Sequence, residues 1–567
     1  MLNVTLAQVN PVVGDLEGNA RKVLELARAK ADESHLVVFP ELVLSGYPPE
    51  DLLTQRHFLL ACREVFNELV NETKGLDCLL VLGLPYYEED CYNALAVVYD
   101  GKLLGLYFKE RLPNYGVFDE KRYFREGRRP LLGVVNGVKV GFSVCEDAWY
   151  PDGPERYEAL SGAQVIVNVN ASPYQRGKYA YKERFLRARA QDNAVYFVYV
   201  NAVGGQDELV FDGRSLVIGP EGELVARAKA FEEDALTVTL EPAKCERVRL
   251  VDLRWREASK ELEPLEPAFE LGLPKKRPAE GRLESSPEGA EELYAAIKLA
   301  VRDYADKNGF KGAVVGLSGG IDSSLVACVA ADALGPRRVV GVYMPSPFSS
   351  KESYEDAERL ARSLGIEFLE LPVDGPFEAY LKTLKERLGE LPFSVAEENL
   401  QARIRANYLF YLSNRYGYLV LATSNKSETA VGYTTIYGDM AGGYAPIKDL
   451  YKTQVYELAR YRNGISPVIP ERVFEKPPSA ELRPGQTDQD TLPPYELLDG
   501  ILMLYLEEGL SPDEIAARGF ERELVLRVVR MVRASEYKRK QAPLGPKLSK
   551  RAFGKDWRMP VTNRFKL

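Results

Sequence analysis

Ala313-Val314-Val315-Gly316-Leu317-Ser318-Gly319-Gly320-Ile321-Asp322-Ser323-Ser324-Leu325-Val326-Ala327 reads as a short apolar strand, a glycine-rich loop and the start of a helix. In that order the loop amides and the helix N-terminus point at an anion. The glycines let backbone approach phosphate, and Ser323 or Ser324 can cap the helix. No Gly-Lys-Ser/Thr follows. The lysine that a common phosphate loop sends to the β- and γ-phosphates is therefore missing. Gly316, Leu317, Ser318, Gly319, Gly320, Ile321, Asp322 and Ser323 become the expected ATP loop, with serines, amides and one aspartate in place of that lysine. A carboxylate beside bound polyphosphate calls for a cation, so Asp322 implies Mg2+. An ordinary strand-turn-helix corner is the alternative. The serines flanking the glycines and the aspartate after them weigh against it.

Further strands at 338–343 and 419–422 alternate with helical runs. The second half is thus expected to be α/β, an open parallel sheet with its ligand at the strand C-ends. The first half alternates in the same way, with a helical pattern from Arg21 to Ala31 and a buried strand at Leu36-Val37-Val38-Phe39. A chain of 567 residues is too long for one core. Proline and glutamate dominate residues 261–290, where apolar periodicity is lost. The expected division is a first domain over 1–262, a linker over 263–290 and a second domain over 291–567.

Net charge is −9, which disfavours a nucleic-acid role. The N-terminus lacks a basic region followed by an apolar stretch, and no apolar run reaches membrane-spanning length. A cytoplasmic protein with no membrane partner is expected. The cysteines Cys62, Cys78, Cys91, Cys145, Cys245 and Cys328 form no Cys-x-x-Cys pair. The only histidines are His35 and His57, so Ser-His and Cys-His chemistry is excluded beyond the first tenth of the chain.

Three apolar runs of the first half end in reactive residues. Leu36-Val37-Val38-Phe39-Pro40 ends in Glu41, Leu103 to Phe108 ends in Lys109, and Val138 to Val144 ends in Cys145. A free thiol is only a few per cent thiolate at neutral pH. Lowering its pKa from about 8.5 to about 6 needs about 3.4 kcal/mol of thiolate stabilisation. Lys109 and oriented amides are candidates for that, Glu41 for a general base, and Lys109 also for an oxyanion partner. Taken singly, each residue is as readily a structural one. The flanks Phe39-Pro40-Glu41-Leu42, Lys109 to Glu120 and Val144-Cys145-Glu146-Asp147 resemble the nitrilase superfamily. That resemblance implies an α-β-β-α sandwich with a Glu41, Lys109 and Cys145 triad that hydrolyses C–N bonds through a thioester. In its glutamine-using members it implies Tyr115, Ser172 and Lys178 as substrate contacts.

In the second half, Tyr418-Leu419-Val420-Leu421 delivers Thr423 to the same sheet edge, and Glu428 is a candidate second Mg2+ ligand. A capping turn at Thr423 and Ser424 is the alternative. Asn399 and Arg403 share a helix face at i, i+4, either for a ligand or for solvent. The blocks Val431 to Asp439, Pro446 to Thr453 and Lys476 to Tyr495 resemble the NAD synthetases. With the front half, the chain is similar throughout to the glutamine-dependent NAD+ synthetases.

That resemblance implies a Rossmann-like, adenine-nucleotide α-hydrolase-like second domain. It implies ATP at Gly316 to Ser323 and Thr423. It implies deamido-NAD+ at Asn399, Arg403, Glu428, Tyr433, Thr434, Thr435, Ile436, Asp439, Lys448 and Lys538, with Asp322 and Glu428 on Mg2+. Adenylation of deamido-NAD+ and amidation by ammonia from glutamine would follow, with a protected passage for ammonia. A homo-oligomer is implied too, an octamer among its forms. The basic stretch Lys538 to Arg551 is either a cover over dinucleotide phosphates or a solvated tail. The alternatives are another glutamine-fed adenylating ligase, against which the blocks at 397–405 and 431–453 argue, and a nucleotide-sensing scaffold, against which the triad with Asp322 and Glu428 argues.

Overall fold

A computed structural model describes residues 1–260 and 263–565. The domain boundary expected at 262 lies outside the described residues. The chain divides into two compact units, one of Met1–Gln206 with Phe211–Pro287, the other of Asp207–Val210 with Glu288–Leu567.

The first unit is built from strands. In chain order they are β1 (Leu2–Gln8), β2 (Leu36–Val38), β3 (Leu79–Tyr87), β4 (Cys91–Tyr99), β5 (Lys102–Phe108), β6 (Leu131–Val135), β7 (Val138–Val144) and β8 (Val165–Asn170). There follow β9 (Tyr196–Asn201), β10 (Val203–Gln206), β11 (Leu209–Asp212), β12 (Leu216–Ile218), β13 (Leu224–Arg227), β14 (Asp234–Leu240) and β15 (Phe269–Leu271). One sheet runs β14-β1-β2-β3-β4-β5, a second runs β13-β12-β9-β8-β7-β6-β15, and β10 with β11 makes a ribbon.

Val4, Leu6, Leu36 and Val38 of the first sheet share one buried cluster with Val140, Phe142, Val144 and Val167 of the second. The opposite face of the first sheet, with Ala7, Val37 and Leu80, packs on helices Leu16–Lys30 and Arg56–Glu72. The outer face of the second packs on helices Pro154–Leu160 and Lys178–Asn193. This is the expected α-β-β-α sandwich. Both faces of β2 are covered, so its sequence is an unbroken apolar run rather than an alternation.

The helix expected from Arg21 begins earlier, at Leu16, because the Asp15 side chain accepts from Gly18 N at 3.0 Å and caps it. Its Ala20, Val23, Leu24 and Ala27 form the buried stripe. Each Val or Leu so buried contributes about 1.5–3 kcal/mol.

Within the stretch expected as a linker, β15 pairs in parallel with β6 at the sheet edge. Phe269 lies so close to Gly133 that a Cβ there would sit 2.1 Å from its ring. The physical reason is the apolar pair Phe269 and Leu271, which packs on the inter-sheet cluster despite the prolines around it.

The second unit holds a parallel sheet in the order β18 (Glu367–Glu370), β17 (Val339–Tyr343), β16 (Gly312–Gly316), β19 (Tyr418–Leu421). The chain leaves β16 for β17 and β18 on one side, then crosses to β19 on the other. The C-end of β16 is thus a topological switch point, where open α/β sheets bind ligands. Helix Ile321–Leu334 follows it and is buried nearly all round, packed between β16 and helices Gly289–Lys307 and Lys452–Ile465. Helices Asp374–Leu388 and Val395–Tyr416 cover the other sheet face with Phe377, Ile404, Leu409 and Leu412.

Candidate functional site

In the first unit, Glu41, Lys109 and Cys145 stand at the C-ends of β2, β5 and β7 and are all buried. Cys145 turns the chain sharply out of β7, with φ at +43°, a left-handed value that costs a non-glycine residue strain. Lys109 Nζ donates to Glu41 Oε1 at 2.7 Å. Asn93 Nδ2 donates to the same oxygen at 2.7 Å, and Ala171 N donates to Glu41 Oε2 at 2.9 Å. The Glu41 carboxylate is therefore fixed by three donors from three separate segments.

Lys109 has a second carboxylate that sequence reasoning did not assign. Its Nζ lies 2.9 Å from both oxygens of buried Glu120, which also accepts from Tyr47 OH at 2.9 Å. Burial pushes Glu120 up to about 7, against the pull of Lys109. Burial works against the Lys109 ammonium, but Glu120 and Glu41 outweigh it and raise its pKa. The lowered thiol pKa expected from the sequence is not found. Burial first, and the Glu41 carboxylate next, push Cys145 well above the ordinary thiol range, with Lys109 opposing. The lysine charge is already shared between two carboxylates.

Asp147 ties the reactive segments together. Its carboxylate accepts from Val144 N at 3.0 Å, Tyr107 OH at 2.8 Å, Arg111 N at 2.8 Å and Glu110 N at 3.2 Å. The turn at Cys145 is thereby fastened to the loop after Lys109. Of the residues expected to hold glutamine, Tyr115 is exposed and its hydroxyl reaches Glu146 Oε2 at 2.9 Å. Ser172 is buried and donates its N–H to Asn201 Oδ1 at 2.9 Å. Lys178 opens the helix Lys178–Asn193, its ammonium 5.5 Å from the Trp149 ring centroid. Glu146, which also feels the Lys178 charge, is a further polar group of this mouth.

In the second unit, Gly319 has φ of +74°, and a Cβ there would lie 2.5 Å from Ser353 O, so only glycine fits the loop. Ser318 Oγ accepts from Gly320 N at 3.2 Å, and Ser323 Oγ from Ser318 N at 3.2 Å. The expected cap is corrected. Gly320 is the N-cap with no side-chain cap bond, and the Ser323 and Ser324 hydroxyls donate back to Gly320 O at 3.1 and 2.8 Å. The loop folds on its own hydroxyls, and the first amides of the helix have no intrahelical partner.

The capping turn at Thr423 and Ser424 is also replaced. Asn425 caps helix Lys426–Val431, accepting from Glu428 N at 3.0 Å. Its Nδ2 donates to Asp322 Oδ1 at 2.9 Å, which brings the end of β19 to the loop after β16. Lys452 Nζ, unassigned from sequence, is hydrogen-bonded to Asp322 Oδ2 and lies 3.2 Å from Glu428 Oε1. Burial pushes Glu428 up to about 8, against Lys452. Asp488 stands nearby, accepting from Tyr495 OH at 2.8 Å.

No cluster of three or more His, Cys, Asp or Glu side chains among the described residues is arranged for a metal ion. Two carboxylates suit Mg2+ nonetheless, because this ion is commonly held by one or two carboxylates plus substrate phosphates. That a cationic ammonium bridges Asp322 and Glu428 marks the spot as one that attracts positive charge.

The residues expected at deamido-NAD+ gather round one loop. Thr435 Oγ1 donates to Asn399 Oδ1 at 2.7 Å, Arg403 Nε to Ile436 O at 3.2 Å, and Thr435 N to Asp439 Oδ1 at 2.6 Å. Lys538 Nζ donates to Gly432 O and Thr434 O at 2.7 Å each. Tyr433 is hydrogen-bonded to Gln486 and Asp488. Lys448 is engaged elsewhere, buried and donating to Pro543 O at 2.7 Å. Nor is the basic stretch a solvated tail throughout. Lys547 pairs with Asp556 at 2.7 Å and Arg539 with Glu536 at 2.7 Å, with Lys547, Arg539 and Glu536 buried.

The carbon-nitrogen hydrolase family model matches residues 3–250, and the NAD synthase model matches 293–542. A glutamine-dependent NAD(+) synthetase of Aquifex aeolicus is 63% identical over 565 residues, covering 100% of both chains. One of Thermotoga maritima is 51% identical over 571 residues, covering 100% of this chain and 99% of its own. Among solved structures, the glutamine-dependent NAD+ synthetase of Acinetobacter baumannii in complex with ADP is similar at a TM-score of 0.73 and 39% identity. It covers 99% of this chain and 98% of that one.

Proposed function

The chain belongs to the glutamine-dependent NAD(+) synthetases, and from that premise we propose which of its residues carry each half of the reaction. The enzyme amidates deamido-NAD+ to NAD+ at the expense of ATP, using ammonia released from glutamine. Burial and Glu41 keep the Cys145 thiol protonated at rest, so the nucleophile needs a base at the moment of attack. Glu41 takes the thiol proton as sulfur bonds to the amide carbon of glutamine. Lys109 faces the developing oxyanion. Collapse breaks the C–N bond, Glu41 returns the proton to the leaving ammonia, and a Cys145 thioester remains. Water, deprotonated by Glu41, then releases glutamate. Tyr115, Ser172 and Lys178 bind and orient glutamine at this mouth.

In the second unit the nicotinate carboxylate of deamido-NAD+ attacks the α-phosphate of ATP, and pyrophosphate leaves. Ammonia then displaces AMP. The Gly316 to Ser323 loop holds the polyphosphate through free amides at the helix N-terminus, and Thr423 adds a hydroxyl at the end of β19. Asp322 and Glu428 would hold Mg2+, which when bound neutralises charge on the leaving pyrophosphate. Asn399, Arg403, Glu428, the Tyr433–Ile436 segment, Asp439 and Lys538 position deamido-NAD+. Lys448, also expected at deamido-NAD+, is held instead by Pro543 O. A cytoplasmic location and a homo-oligomeric assembly, an octamer, complete the proposal.

The observation that carries the division of labour is the three-point fixation of Glu41 beside a protonated buried thiol. The test is a pair of variants in the full chain. Cys145→Ala should lose glutamine-supported NAD+ synthesis while keeping synthesis from added ammonium. Asp322→Ala should lose pyrophosphate release from either nitrogen source while glutamine is still hydrolysed. Loss of both nitrogen sources in Cys145→Ala, in soluble folded protein, sinks the reading.

A further inference from the structure

The first unit buries a second ammonium on the helix that begins at Lys178. Lys182 is 2% exposed and lies one helical turn after Lys178 on the same face of helix Lys178–Asn193. Its Nζ stands 3.6 Å from Asp212 Oδ1, 5.1 Å from the Tyr199 ring centroid and 5.7 Å from that of Tyr179. Asp212 is also 3.5 Å from Arg214, so one carboxylate is shared by two cations. Lys182 and Cys145 are near enough to feel each other's charge, although burial is what chiefly lowers the lysine pKa. The titratable and charged groups facing Lys182 are thus Asp212, Arg214, Tyr179, Tyr199 and Cys145.

The same cluster runs into the glutamine mouth. Asp212 Oδ1 accepts from Asn201 Nδ2 at 3.3 Å, and Asn201 Oδ1 accepts from Ser172 N at 2.9 Å. The Ser172 side chain is hydrogen-bonded to Tyr199. The residue before it, Ala171, donates its N–H to Glu41 Oε2 at 2.9 Å. The Ala171-Ser172 step is therefore gripped from two sides, by the catalytic carboxylate and by the Asn201–Asp212 pair.

Charge bookkeeping gives this cluster a task. Lys109 is bonded to both Glu41 and Glu120, so its one positive charge faces two carboxylates. Sulfur gains negative charge as its proton passes to Glu41, and a buried negative charge needs a nearby positive one. Lys182, whose anion is divided with Arg214, is a second buried ammonium within electrostatic range of Cys145.

We propose that Lys182 is a positioning residue of glutamine hydrolysis. Its ammonium supplies the positive potential that favours the Cys145 thiolate, and through Asp212 and Asn201 it fixes the Ser172 segment against Glu41. The proposal rests on the reading of Cys145 as the nucleophile, which Cys145→Ala tests separately.

The experiment compares Lys182→Met and Lys182→Arg in the full chain. Glutamine-supported NAD+ synthesis is resolved into kcat and KM, with ammonium-supported synthesis as the control. Carboxamidomethylation of Cys145 by iodoacetamide is followed against pH, the labelled peptide being identified by mass. Lys182→Met should cut kcat with glutamine by about tenfold or more, slow alkylation at neutral pH by about fivefold and move its profile to higher pH. The ammonium reaction should stay within about twofold, and Lys182→Arg should restore both losses to within about threefold. An unmoved alkylation profile in Lys182→Met overturns the proposal, whatever happens to KM. Should Lys182→Met lose the ammonium reaction as well, Lys182→Arg decides. A folded Lys182→Arg with sluggish Cys145 alkylation is equally fatal.

Discussion

Lys109 illustrates how the chemistry of one residue depends on partners distant in sequence. As a strand-end lysine beside a thiol it reads as a thiolate stabiliser. Bonded to Glu41 and Glu120 it is instead a clamp on the carboxylate proposed as base, while burial and Glu41 hold the thiol well above its ordinary range. His35 makes the same point for stability. Its Nδ1 accepts from Asn3 N at 2.8 Å. Burial chiefly, with Lys276 and the N-terminal ammonium adding repulsion, lowers its pKa to about 4. The unfolded chain binds the proton near pH 6.5, whereas the folded one refuses it until about 4. The stabilising contribution is thus complete above pH 6.5 and shrinks as pH falls from there toward 4. Denaturant titrations of the first unit should show this loss with a slope approaching one proton taken up on unfolding. His35→Asn, which keeps an acceptor for Asn3 N and cannot titrate, should flatten that slope. An unchanged slope contradicts the assignment.

At the scale of elements, the strand-loop-helix at 312–334 is specified by local sequence. The apolar run makes β16, the glycines make the turn, and the small polar residues tie the loop to itself. Gly319 is where the conformation is least negotiable, being left-handed and facing Ser353 O. Gly319→Ala costs about 1–2 kcal/mol in backbone strain alone, and the contact with Ser353 O adds to it. ATP-dependent NAD+ formation with saturating ammonium should drop by about tenfold or more, while glutamine hydrolysis persists. Wild-type ATP kinetics in that variant would mean the loop is not the polyphosphate site. The cap of the neighbouring helix shows what local reading leaves open. Several polar residues after β19 can cap, and tertiary placement beside Asp322 selects Asn425.

For the whole molecule, the alternation of apolar runs with amphipathic stretches was enough to announce two α/β halves, because covered sheets demand such strands. That residues 269–271 would add an edge strand was not legible, since the prolines and glutamates around them read as a connector. The proposed assembly is tested at this scale by light scattering of the purified chain, which should give a mass eight times that of the 63.5 kDa chain. A monomer at micromolar concentration would refute it.

Legible along the chain alone were the strand-end positions of Glu41, Lys109 and Cys145, the glycine-rich loop and the face shared by Asn399 and Arg403. Each follows from a period or a turn spanning a few residues, where local backbone preference decides. Folding alone brought Glu120 onto Lys109, Asp147 onto two loops at once, Lys452 between Asp322 and Glu428, and Lys182 onto Asp212. These groups are polar residues without periodic signature. Their roles arise because burial removes water and leaves each charge to be satisfied by whichever partner the sheets bring near.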